Sequence, residues 1–217
     1  MCGRYSFAIE DELIKERFGV TVRSAIYKAR YNCAPSQSLA VISTEEPDKL
    51  SYYRWGLIPF WAKDPSIGNK LINARAETII DKPSFKQAFR SRRCLVLSDG
   101  FFEWDKSGEK QPYRIILQDS VPFSMAGIWD KWENPEGEIT HSFSIITTRA
   151  NSLIEKIHDR MPVILKREDE KKWLVSTDEK ELLDLLQPFL SDQMKTYPVT
   201  KKVNSPVNDF REILDPL

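Results

Sequence analysis

The feature that most constrains the fold is a run of four β-type segments at 94–104, 111–118, 122–132 and 140–148, separated by polar or glycine-containing turns. Strands this closely spaced pair with their neighbours, which predicts a curled, mostly antiparallel sheet or a barrel-like core. Two more strands are predicted at 38–44 and 49–58, turning at Glu45, Glu46, Pro47 and Asp48, and a return strand at 194–203. Helical patterns cover 9–18, 84–92, 152–158, 168–175 and 177–187. Three of them open on capping-box spacings: Ser84 with Gln87, Ser152 with Glu155, and Ser176 with Glu179. The helix over 152–158 stops before Arg160, Met161 and Pro162. The predicted class is α+β, with the sheet central and the helices peripheral.

The chain has 217 residues, no repeat and no low-complexity stretch, and its 13 prolines form no linker, so one domain is expected over 1–217. Its 32 basic and 32 acidic residues cancel, so any nucleic-acid surface must be local. Three cysteines, at 2, 33 and 94, are too few and too scattered for a disulfide scaffold and fit a reducing, cytoplasmic setting. The N-terminus lacks an apolar signal core, and no run reaches the ~18 apolar residues of a membrane span.

Four places carry candidate chemistry. Cys2 and Gly3 are small, so Met1 is an initiator of the kind that aminopeptidases remove. The exposed residue would hold an amine and a thiol on adjacent carbons. An aldehyde condenses with the amine, whose unperturbed pKa is ~7.7–8.0, and the thiol closes a thiazolidine ring. The alternative is a small buried cysteine without a role. Asn73 and Arg75 lie in Asn73-Ala74-Arg75-Ala76-Glu77-Thr78, read as a loop; the asparagine suits a sugar or a reacting oxygen and the arginine a phosphate, against an Asx turn and a surface arginine. Glu103 lies in Gly100-Phe101-Phe102-Glu103-Trp104, where aromatic surroundings raise a carboxyl toward acid–base work, against an ion-paired glutamate on a solvated face. Trp104 is either a base-stacking or a core residue. His158, one of two histidines, sits at a predicted helix C-terminus whose dipole favours the protonated ring. The alternative is a helix cap. A metal site from Cys2, Cys33, Cys94 and His158 lacks ligand spacing, and neither a metal nor a cofactor is expected.

Taken together, six segments resemble the SOS response-associated peptidase (SRAP) domain, now regarded as abasic-site processing proteins. They are Met1-Cys2-Gly3-Arg4-Tyr5, Tyr31-Asn32-Cys33-Ala34-Pro35, Arg54-Trp55-Gly56-Leu57-Ile58-Pro59, Asn73-Ala74-Arg75-Ala76-Glu77, Gly100-Phe101-Phe102-Glu103-Trp104 and His158-Asp159-Arg160-Met161-Pro162. The resemblance implies binding of single-stranded DNA holding an abasic site and covalent capture by Cys2. It implies that Asn73 positions the sugar or the cysteine backbone, that Glu103 shuttles protons and that His158 assists. By the same resemblance Arg4, Arg75 and Arg160 hold phosphates and Trp104 stacks beside the lesion. Lyase and self-processing activities, a monomer, replication-fork partners and a nucleoid-associated state on DNA are further expectations. Two other functions remain open at this level: an N-terminal-nucleophile amidohydrolase and a non-catalytic reader of modified DNA. The last ~20 residues carry no expectation.

Overall fold

The computed structural model describes residues 2–23, 27–106 and 108–217. In chain order the strands are β1 (Tyr5–Phe7), β2 (Arg30–Cys33), β3 (Ser38–Ser43), β4 (Ser51–Trp55), β5 (Asn73–Arg75), β6 (Arg93–Ser98), β7 (Gly100–Trp104), β8 (Pro112–Leu117), β9 (Phe123–Glu133), β10 (Ile139–Arg149), β11 (Arg160–Pro162), β12 (Ile164–Leu165) and β13 (Met194–Pro198). The α-helices are α1 (Asp11–Phe18), α2 (Lys86–Ser91), α3 (Arg167–Val175) and α4 (Glu179–Asp184).

Five strands close a ring. β10 pairs with β4, β4 with β3, β3 with β6, β6 with β9, and β9 returns to β10. Closure removes the exposed edges that an open sheet would leave. The ring is antiparallel except at β4–β10, and β5 extends that parallel edge along β10. A second sheet, in the order β13-β8-β7-β1-β2, packs against the ring. Tyr5 of β1 joins the two layers, its ring 5.3 Å from that of Trp55, which stacks on Phe143. The α+β class with a barrel-like core is as the strand series predicted.

The predicted run at 94–104 is two strands, because the chain changes sheet at Asp99. The Ser98 hydroxyl holds that corner by bonding both the N–H and the carbonyl of Gly100. A side chain at Gly100 would stand 2.9 Å from Arg114 Nε, so only glycine fits. The return strand ends at Pro198 instead of 203.

Four of the five predicted helices form, but their caps differ. α2 has no side-chain cap, and α4 opens on Asp178, whose carboxylate accepts from the N–H groups of Lys180 and Glu181. The helix predicted over 152–158 is one 3-10 turn, Ile154–Lys156, capped by the Asn151 side chain. Buried Arg93 satisfies the ends of two helices, donating to the carbonyls of Phe89, Arg90, Trp173 and Ser176. No helix among the described residues is long and apolar enough to cross a membrane.

Candidate active site

Cys2 lies just ahead of β1 and is fully buried. β1 runs antiparallel to β7, with Tyr5 opposite Phe101, and the Phe102 N–H donates to the Arg4 carbonyl at 2.9 Å. The same register places Gly3 opposite Glu103, so the strand pairing brings the start of the chain to this carboxyl. From the other layer, Asn73 Nδ2 donates to the Cys2 carbonyl at 2.9 Å. Asn73 opens a short strand instead of lying in a loop, because β5 pairs with Ile145–Thr147 of β10. Its Oδ1 is buried and has no hydrogen-bond partner among the described residues.

Glu103 is 2% exposed, which rules out a glutamate on a solvated face. Burial pushes its carboxyl up to about 7, and the charge of Asp159 acts in the same direction. Burial also pushes the Cys2 thiol far above its ordinary range, with the Glu103 charge adding to the effect.

His158 follows the single 3-10 turn, so it does not end a helix. One turn carries little dipole, and burial lowers the imidazole pKa, against the predicted stabilisation of the protonated ring. Its Nδ1 accepts the Arg160 N–H at 3.1 Å and lies 3.0 Å from Asp159 Oδ1. This geometry assigns the proton of the neutral ring to Nε2, whereas the imidazolium would bond to Asp159 through Nδ1.

Arg75 is exposed at the end of β5. Arg160 makes a two-pronged pair with Glu77 at 2.7 and 2.9 Å and donates to the Thr147 carbonyl, tying the end of β5 to β11 across β10. Arg4 and Trp104 turn to the C-terminal segment. Arg4 donates to Asn32 Oδ1 at 2.8 Å and to the Val203 carbonyl at 2.7 Å, and Trp104 Nε1 donates to Asn204 Oδ1 at 2.7 Å. The structure thus gathers Cys2, Asn73 and Glu103, with the His158–Asp159 pair coupled to Glu103 through Asp159. Among the described residues, no three His, Cys, Asp or Glu side chains form a group able to hold a metal ion. A cleft of about 960 Å³, lined by Ile9, Tyr27, Asp99, Arg114 and Tyr197 among others, contains none of the predicted site residues. Glu77 and Asn32 lie in the matching segments without an assigned role, which only their contacts across the fold reveal; the role of Asp159 lies in its charge, felt at Glu103 and His158.

A profile of the SOS response associated peptidase (SRAP) family matches residues 1–206. This chain belongs to the SRAP family. Among SRAP relatives, it is 46% identical to the abasic site processing protein YoqW of Bacillus subtilis (strain 168) over 222 residues, 99% of each chain. It is 35% identical to the abasic site processing protein HMCES of Rattus norvegicus, over 88% of this chain and 65% of that one. A crystal structure of a protein from Bacteroides thetaiotaomicron aligns with a TM-score of 0.92 at 34% identity, covering 100% of both chains. The SRAP match takes in Cys2, Asn73, Glu103 and His158 and ends before Asn208 and Asp209.

Proposed function

We propose that this chain binds abasic sites in single-stranded DNA and captures them as a covalent thiazolidine through Cys2, shielding the lesion. Removal of Met1, which lies outside the described residues, frees the amine. The observation that carries this reading is the Asn73 hydrogen bond to the Cys2 carbonyl beside a buried carboxyl that titrates near 7. The names of YoqW and HMCES, both abasic site processing proteins, support the choice of substrate.

The ring-opened deoxyribose presents an aldehyde. The Cys2 amine adds to it, and the carbinolamine loses water to give an imine. Protonated Glu103 supplies the proton that leaves with the hydroxyl. The imine left behind is protonated on nitrogen. Burial keeps the Cys2 thiol protonated, so the Glu103 carboxylate takes the S–H proton as sulfur attacks the imine carbon. Nitrogen keeps its own hydrogen, and Glu103 ends protonated as it began. The net reaction joins aldehyde and aminothiol and releases one water. Asn73 fixes the cysteine backbone, and its Oδ1 is placed to accept an N–H at the reacting centre. His158, with its proton on Nε2, assists opening of the sugar ring.

Arg75 and Arg160 hold phosphates; Arg4, expected among them, has its guanidinium taken up by Asn32 and the Val203 carbonyl, so it borders the lesion with Trp104 from the side of the C-terminal segment. The imine also supports lyase cleavage by β-elimination, and self-processing reduces to hydrolytic removal of Met1. The reading takes 1–217 as one domain acting as a monomer in the cytoplasm, nucleoid-associated on DNA, with replication-fork proteins as partners.

The test mixes purified protein with a single-stranded oligonucleotide carrying one abasic site. Wild type gives a shifted band on a denaturing gel and Cys2→Ala gives none. A full-strength band from Cys2→Ala overturns the proposal.

A further inference from the structure

The last 20 residues carry no periodic pattern, yet they meet the site at three points. Asn32 of β2 is fully buried, and its Nδ2 donates to the carbonyls of Val203 at 3.2 Å, Ser205 at 3.0 Å and Asn208 at 2.7 Å. Its Oδ1 accepts from Arg4, whose guanidinium also reaches the Val203 carbonyl. Asp209 Oδ1 accepts the N–H groups of Tyr31 and Asn32 at 2.6 and 2.9 Å, and its Oδ2 pairs with Arg30 at 2.8 Å. Asn204 binds the indole of Trp104. Val203 packs with Phe102, Val199 and Ile213 in a small core of its own.

The anchored residues are sequence neighbours of the reacting ones. Arg4 is two residues from Cys2, while Phe102 and Trp104 flank Glu103. In a strand, Phe102 and Trp104 face opposite to Glu103, so residues packed on them brace the back of the strand that presents the carboxyl. Once Met1 is gone, Cys2 has no upstream chain to hold it. Its place is then set by the Asn73 bond at its carbonyl and by the anchored guanidinium of Arg4.

We propose that residues 203–209 form a strap that positions Cys2 and Glu103 for reaction, with Asn32 and Asp209 as the positioning residues that fasten it. The inference rests on the capture reading above. A misplacement of about 1 Å at a reacting group costs on the order of 10²-fold in rate, so a loosened strap shows in chemistry before it shows in binding. Among the described residues, Arg75 and Arg160 make no hydrogen bond to the strap, so affinity for an intact strand does not depend on it.

The experiment compares wild type with Asn32→Ala and with the double variant Asn204→Ala, Asp209→Ala, using an oligonucleotide with one abasic site. The double variant removes anchors at exposed or half-exposed positions, so it folds even where an emptied buried Asn32 site does not. Folding is checked by thermal unfolding. The expected result is single-turnover adduct formation slowed about 10- to 100-fold at saturating DNA, with affinity for the intact strand within about twofold. Water reaching a loosened site should also lower the pH at which the rate responds to Glu103, from about 7 toward the ordinary carboxylate range. A folded double variant with wild-type rate and pH profile overturns the strap, as does a rate loss matched by an equal loss of intact-strand affinity. If wild type itself gives no adduct, the capture reading has failed instead.

Discussion

At the scale of single residues, the chemistry turns on a carboxyl held where charge is costly. Glu103 has its folded pKa raised to about 7, so the fold favours its protonated form. The stability it contributes is full below the ordinary carboxylate range and is lost as pH rises through about 7. Glu103→Gln keeps the shape without the charge. Its melting midpoint should lie above that of wild type at about pH 8, with the gap closing toward about pH 4, while adduct formation slows by roughly 10²–10⁴-fold. A variant less stable than wild type at that higher pH, or one with an undiminished single-turnover rate, contradicts this role. The aromatic neighbours of Glu103 made the raised carboxyl legible in the sequence. The burial of Cys2 entered only as the alternative to a reactive residue, because a second residue carries no periodic context and its cover comes from strands far along the chain.

At the scale of elements, alternation and turn residues placed most strands within a few residues, whereas start signals misplaced the caps. Ser-x-x-Glu spacings are common on helix surfaces, and which oxygen reaches the first N–H groups depends on where the chain enters the turn. Ahead of His158 the cap is Asn151, which accepts from Leu153 and Ile154 and donates to the Phe189 carbonyl, while the Ser152 hydroxyl pairs with Ser191. Asn151→Ala should therefore cost about 1 kcal/mol or more in urea unfolding, and Ser152→Ala less than about 0.5 kcal/mol. The reverse order would restore the capping box that the spacing suggested. Asn73 looked like a loop residue because three residues are too few to show a strand pattern. β5 exists only through its pairing with β10, some 70 residues downstream.

At the scale of the molecule, the curled sheet was legible in the series of closely spaced strands. The β9–β10 hairpin accounts for one side of the ring. The parallel β4–β10 seam was not legible, since local patterning does not encode register between strands about 90 residues apart. The C-terminal segment was equally silent, because its part is played through backbone carbonyls, the Asn204 amide oxygen and the Asp209 carboxylate, which accept from Asn32, Arg4, Trp104 and the β2 backbone. Ring, second sheet and strap converge on Cys2. The most direct measurement is the intact mass of the adduct formed with a defined abasic oligonucleotide. The expected mass is that of the chain lacking Met1 plus that of the oligonucleotide, less one water. An adduct mass that retains the methionine, or that shows no loss of water, would contradict it.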